Sequence, residues 1–207
     1  MSDDADRIIG LYDRHCQAWD RDRARYLFER NWLDRFRAFL PVGGSVLDIG
    51  CGMGEPIARF LIEAGHNVIE TDSAPSMLAL ARARFPDRDW IEADMRTLTL
   101  GRRFDGVLAW DSFFHLRADD QRRMFPIFRT HAAPGAPLLF TSGPEHGEAF
   151  GTFEGEVLYH ASLAPEEYRA LLAENGFAVV RTIANDPDCT GHTVWLARMT
   201  NTGRRNH

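Results

Sequence analysis

The sequence is poor in cysteine and has no long apolar run. Its three cysteines, Cys16, Cys51 and Cys189, are odd in number and far apart. That pattern excludes a disulfide framework and supplies no zinc motif. No apolar stretch approaches the roughly 20 residues that cross a bilayer, so no membrane segment is expected. A basic excess is also missing: 24 Lys and Arg stand against 30 Asp and Glu, for a net charge of −6. The arginines are interleaved with acids, which reads as solvated helix faces, and no nucleic-acid partner is expected. The first residues are acidic and polar, unlike a secretory signal. With thiols that read as reduced, the expectation is a cytoplasmic enzyme. Repeats and low-complexity linkers are absent as well, and 207 residues suit one domain, 1–207, with a buried core.

What is present centres on Val46-Leu47-Asp48-Ile49-Gly50-Cys51-Gly52-Met53-Gly54-Glu55-Pro56. A short apolar run with an acid near its end feeds three alternate glycines, and a helical pattern follows. A buried strand entering a glycine turn and a helix is a nucleotide-type ligand site. A dinucleotide fingerprint is spaced G-x-G-x-x-G. Here Gly54 comes one residue early and Glu55 fills the fingerprint's place, putting a carboxylate where a pyrophosphate would lie. Asp72 closes the next strand 18 residues past Gly54. An ionised carboxylate there can accept two hydrogen bonds from a ribose diol.

Around this centre, strands and helices alternate. Strands are predicted at 45–49, 67–72, 89–93, 104–110, 136–141, 178–183 and 193–198. Helices are predicted at about 55–64, from Ser73, at 118–131 and from Pro165 to the cap at Gly176. This is the pattern of a three-layer α/β fold with a mostly parallel sheet. Two more helices precede the first strand, one with Ile8, Leu11, Tyr12, Cys16 and Trp19 on a face, one with Phe28, Trp32, Phe36, Phe39 and Leu40. Asp20-Arg21-Asp22 is expected to separate them. Residues 142–161 read as a hairpin or ordered loop leaving the ligand edge of the sheet, with Glu145, His146, Tyr159 and His160 as polar candidates. The stretch Asn185–His192 holds two carboxylates, a thiol and an imidazole, but its spacing matches no metal motif. Turn chemistry explains it, and no metal is expected.

The D-x-G-x-G-x-G run, with the strand before it and the helix after it, resembles motif I of class I S-adenosylmethionine (SAM) dependent methyltransferases, over about residues 40–199. The resemblance implies a seven-stranded Rossmann-like sheet in the order 3-2-1-4-5-7-6 with strand 7 antiparallel. It implies that residues 1–40 form a helical lid from which Tyr12 and Trp19 reach the substrate. The implied cofactor-binding residues are Asp48, Gly50, Cys51, Gly52, Gly54, Asp72, Ser73, Met77 near the adenine, Asp94 toward the adenine amino group, Met95 and Trp110. Asp111 and His115, just after strand four, are the candidates for the reacting end, and Tyr159 and His160 for the substrate. Position 110–113 reads Trp-Asp-Ser-Phe, not the D/N-P-P-Y/F motif of amino-methylases of nucleic acids. The expected activity is methyl transfer from SAM to a small molecule, leaving S-adenosylhomocysteine (SAH), by a monomer or homodimer. A SAM-binding protein without transfer and a nicotinamide-dependent oxidoreductase remain alternatives.

Overall fold

A computed structural model describes residues 4–23 and 25–201; the first residues of the expected lid and the end of the C-terminal tail lie outside them. The elements run α1 (Asp4–Arg14), α2 (Cys16–Asp22), α3 (Arg30–Arg37), β1 (Ser45–Ile49), α4 (Ile57–Glu63), β2 (Asn67–Asp72), α5 (Pro75–Arg84), β3 (Asp89–Glu92) and β4 (Gly106–Ala109). They continue with α6 (Ala118–His131), β5 (Pro137–Ser142), β6 (Gly147–Phe153), β7 (Glu156–Ser162), α7 (Pro165–Glu174), β8 (Phe177–Asp186) and β9 (His192–Met199). Seven strands form one sheet in the order β3-β2-β1-β4-β5-β9-β8. This is the expected order once the separate hairpin, β6 with β7, is set aside. The strands β1 to β5 run parallel, and β9 is antiparallel to both β5 and β8.

The central strands β1, β2, β4, β5 and β9 are buried on both faces, so they read as near-continuous apolar runs whose neighbours pack on opposite sides. Leu47, Val107, Phe140 and Trp195 face the layer of α6 and α7. Val46, Leu108, Leu139 and Leu196 face the layer of α3 and α4. The helices α6 and α7 are tied by a polar network inside their layer. The Tyr168 hydroxyl donates to Gln121 Oε1 at 2.6 Å and accepts from the Leu163 amide at 3.0 Å. Gln121 in turn donates to the carbonyls of Leu116 and Ala161, both at 2.8 Å. Tyr168→Phe orphans the buried Leu163 amide and one Gln121 lone pair. It is expected to lower unfolding stability by about 1–3 kcal/mol, read from the urea midpoint at unchanged slope.

The N-terminal segment departs from expectation in detail. The first predicted helix breaks at His15 into α1 and α2, and Asp20-Arg21-Asp22 is the last turn of α2, not the separator. Asp20 is ion-paired with Arg25 and Arg84 and Arg21 with Asp22, so these charges fit a helical turn, and the next helix begins at Arg30. The helix α1 lies across β7 and α5, with Ile8 packed on Tyr159 and Ala161. Among the described residues, no helix is long and apolar enough to cross a membrane.

Candidate active site

The carboxyl ends of β1, β2, β3 and β4 converge on a cavity. Open parallel sheets bind ligands at this edge, where the strand order reverses. β1 enters it through Asp48, and the amides of Gly50 and Cys51 donate back to the Thr71 carbonyl, so the turn is tied to β2. Two of the glycines are required by close packing. A Cβ on Gly50 would sit 2.3 Å from Ser112 Cβ, and one on Gly54 would sit 2.5 Å from the Trp90 ring. Gly52, with φ +57°, has nothing within 4 Å of its would-be Cβ. Its bare backbone is therefore open to a ligand.

Asp72 organises the far side. Its two carboxylate oxygens accept from the amides of Gly52 and Ala74, each at 2.8 Å. Burial raises its pKa, against the pull of these backbone donors. Ser73 lines the same wall and donates to the Ala93 carbonyl. Met77 is buried with Met53 and Ala74 against the lid residues Tyr12, Cys16 and Trp19. Asp94, Met95 and Arg96 supply the next wall. Asp94, expected to meet the adenine amino group, is ion-paired: Arg96 Nε contacts both of its oxygens at 3.0 Å and Nη2 adds a contact at 2.6 Å. The Arg96 bonds hold the Asp94 pKa below the usual carboxylate value. An adenine edge would share this carboxylate with a guanidinium that also reaches Asp6 of α1, 3.7 Å away. Trp110 lines the cavity too, and its indole N–H is buried with no acceptor among the described residues. A buried orphan donor beside a cavity is a group that a ligand can satisfy.

Beneath the glycine turn lies a pair that sequence reading left unremarked. Asp48 and Glu70 are register partners on adjacent parallel strands, and both are buried. Burial is the main cause of their raised pKa values; for Glu70 the charge of Asp48 adds, and Asp48 is pushed up to about 7. The pair therefore keeps a proton that unfolded carboxyls release near pH 4. The native state binds the extra proton, so stability falls as pH rises from about 4 through about 7. Glu70→Gln is expected to flatten that decline, measured as urea midpoint against pH. An equally steep decline in the variant would show that other groups cause it.

A second chamber adjoins the first on the side of the lid and hairpin. Tyr12, Trp19, Arg23, Asp111 and His115 line both. Phe28, Phe114, Phe153, His160 and His192 line only the second of these two. Asp111 follows β4 with its backbone in the left-handed region, φ 49°, and its amide donates to Thr141 Oγ1 at 2.9 Å. Strained non-glycine backbone of this kind clusters at working sites. The helices α1 and α2 are held beside both chambers by contacts to several elements. The Ser76 amide donates to Asp13, Arg84 pairs with Asp20, Arg117 with Asp6, and His15 with Glu156.

The structure corrects two candidates. His115 was expected near the reacting group as a base, but both its nitrogens are engaged. Nδ1 lies 2.7 Å from the Tyr159 carbonyl and Nε2 lies 3.0 Å from the Tyr12 hydroxyl. A carbonyl only accepts, so Nδ1 carries the proton and Nε2 accepts from Tyr12. Burial and then the neighbouring His160 push its pKa down to about 4. It is a neutral ring that orients Tyr12 and leaves the phenol's lone pairs toward the chambers. Tyr159 was expected to meet substrate, but its side chain packs under α1 and its hydroxyl donates to Glu148 at 2.7 Å. Alternation along β7 turns Tyr159 to the lid and His160 to the chamber. Sequence reading missed Phe28, Phe114, Phe153 and His192. Their only signal was aromatic and imidazole content in segments whose tertiary placement no periodicity reveals.

Residues 46–135 match the methyltransferase-domain family. The chain is 32% identical over 108 residues to the dTDP-3-amino-3,4,6-trideoxy-alpha-D-glucopyranose N,N-dimethyltransferase of Streptomyces venezuelae, a match covering 51% of the chain and 45% of the relative. It is 34% identical over 117 residues to the dTDP-3-amino-3,6-dideoxy-alpha-D-glucopyranose N,N-dimethyltransferase of Streptomyces fradiae, covering 56% and 45%. The chain thus spans less than half the length of these relatives. Its fold is similar to a SAM-bound amino pentose methyltransferase from Micromonospora echinaspora, with TM-score 0.71, 24% identity, and 87% and 93% of the two chains covered. It is also similar to the 1,6-didemethyltoxoflavin-N1-methyltransferase of Burkholderia thailandensis, with TM-score 0.71, 21% identity, and 95% and 87% covered. The family match lies over the glycine turn and the strands that carry Asp72, Asp94 and Asp111, so this part of the chain is similar to a methyltransferase domain and the whole chain shares the fold of SAM-bound methyltransferases.

Proposed function

We propose that this chain transfers a methyl group from SAM to a nitrogen of a small-molecule acceptor, with Asp111 receiving the acceptor's proton. The observation that carries this reading is the shared wall of Tyr12, Trp19, Arg23, Asp111 and His115 between the glycine-turn cavity and the aromatic chamber. The first cavity suits SAM: an open backbone at Gly52, a carboxylate at Asp72, and the unpaired indole N–H of Trp110 all face it or border it. When bound, SAM supplies a methyl carbon already activated by its sulfonium sulfur. The chain's part is chiefly alignment, which can account for much of such a rate. The lid helices exclude water, Tyr12 offers lone pairs fixed by His115, and the rings of Trp19 and Phe114 give the acceptor an apolar wall. Methylation of an amine or hydroxyl releases a proton, and Asp111 is placed to take it.

Nitrogen is favoured because the curated relatives named above are N,N-dimethyltransferases of amino sugars. The family match gives the nicotinamide alternative no support. Free thiols at Cys16, Cys51 and Cys189 agree with work in a reducing cytoplasm. The test is methyl transfer from isotopically labelled SAM to a panel of dTDP-amino sugars, aliphatic amines and heteroaromatic N–H acceptors. Labelled product with any nitrogen acceptor supports the reading. Tight SAH binding with no transfer to the panel would favour a SAM-binding protein that does no methylation.

A further inference from the structure

The loop before β9, which turn chemistry explains in the sequence, brings an imidazole to Asp111. His192 Nε2 lies 3.0 Å from Asp111 Oδ1, an ion-pair contact to a buried oxygen that has no aligned hydrogen bond among the described residues. On the other side of the ring, Nδ1 lies 2.9 Å from the Cys189 carbonyl and 2.7 Å from Thr190 Oγ1. The Thr190 hydroxyl lies 2.8 Å from that same carbonyl, so its proton can go to the carbonyl or to Nδ1. A carboxylate only accepts, so Nε2 carries a proton where it meets Asp111; Nδ1 can donate to the Cys189 carbonyl or accept from the Thr190 hydroxyl. An imidazolium can donate to both acceptors, and the Asp111 carboxylate beside Nε2 favours that charge.

Its surroundings agree. The rings of Phe28, Trp110 and Phe114 stand 6.2–6.3 Å from the imidazole. Other ionisable groups near it are Glu29, which is paired with Arg23, the thiol of Cys189, and His160 across the chamber. Burial alone would lower the His192 pKa. The bond to Asp111, its charge, the Cys189 carbonyl and Glu29 outweigh burial, and the pKa is raised above 6.5.

We infer that His192 is a positioning residue for the methyl transfer: a cation pinned at both nitrogens, it occupies Oδ1 of Asp111 and leaves Oδ2 to meet the acceptor. This rests on the aromatic chamber being the acceptor site. Together with the left-handed backbone at Asp111, the pair fixes which carboxylate oxygen can receive the acceptor's proton. It also places a positive charge beside that oxygen, so the chamber presents an ion pair and not a lone anion. The acceptor amine is therefore taken as its free base, with the lone pair needed for attack.

The test uses the full chain, bound to SAH, with nitrogen-15 in its histidines. The His192 resonances are identified by their loss in His192→Gln. Both ring nitrogens are expected to be protonated near neutral pH, with a midpoint above 6.5. Asp111→Asn is expected to lower that midpoint by one unit or more, about a tenfold change in the protonation constant. A neutral ring at pH 6.5, or a midpoint that Asp111→Asn does not move, overturns the pairing. The positioning role is read from turnover on the amine that the wild type methylates. The wild type is expected to lose kcat as pH rises through the His192 midpoint. His192→Gln is expected to lack that alkaline limb and to turn over about tenfold slower or more at neutral pH, with SAH affinity kept. A variant with wild-type turnover and profile overturns the role. Failure of the wild type to bind SAH would count against the cofactor reading instead, and failure to methylate any amine against the acceptor reading, while the nitrogen-15 result still decides the pair.

Discussion

Asp111→Asn is expected to lower kcat for methyl transfer by about 10²–10⁴-fold, the usual contribution of a positioned proton acceptor. SAH affinity should stay unchanged. Asparagine makes this a clean experiment. It matches aspartate in size, and it tolerates the left-handed backbone that the residue adopts at φ 49°. The amide to Thr141 Oγ1 is unaffected. What disappears is the negative charge and the capacity to take a proton, together with the charge partner of His192. An Asn side chain can still accept one hydrogen bond from the imidazole, so collapse of the chamber is not expected. If turnover on the acceptor is unchanged, Asp111 is not the base, and alignment alone must suffice. If SAH binding falls with turnover, the substitution has disturbed the cofactor cavity and the residue's role there is larger than proposed.

The second large effect is on the cofactor. Asp72→Ala should weaken SAH binding at least tenfold, about 1.4 kcal/mol, by calorimetric titration. Two losses combine. A carboxylate that can accept from a ribose diol is gone. The amides of Gly52 and Ala74, each bonded to it at 2.8 Å, lose their acceptor, so the glycine turn that the ligand meets is no longer held in place. Asp72→Asn separates the two, because the amide oxygen can still accept one backbone bond while the charge is absent. An intermediate loss in Asn is expected. Wild-type affinity in the Ala variant would remove Asp72 from the cofactor site and leave it as a local brace for the turn.

The fold was legible because its signals are local. An apolar run such as Val46–Ile49 must be a buried strand, and glycines whose Cβ would collide with Ser112 or Trp90 leave no substitute at Gly50 and Gly54. Residues that sit next to the strand ends in sequence, such as Asp72, Ser73 and Asp111, reach the ligand edge by topology alone. That is why the glycine turn and most of the cofactor wall could be read from order and spacing. Boundaries were less secure where solvent-facing residues tolerate either state, as at Asp20-Arg21-Asp22, which is helical.

The acceptor chamber was not legible in this way. Its walls come from the lid, the 113–115 turn, the β6–β7 hairpin and the loop before β9, segments separated by up to 180 residues. No local pattern distinguishes His192, which meets Asp111, from His115, whose two nitrogens are already bound, or Tyr159, turned under the lid, from His160, facing the chamber. Which side chain is free to act depends on the partners that long-range packing brings to each polar atom. Chain order fixes the strand sequence and the cofactor edge because those follow from periodicity and short connections; protonation state, tautomer and pocket partner follow from distances across the fold, and only the folded chain sets them.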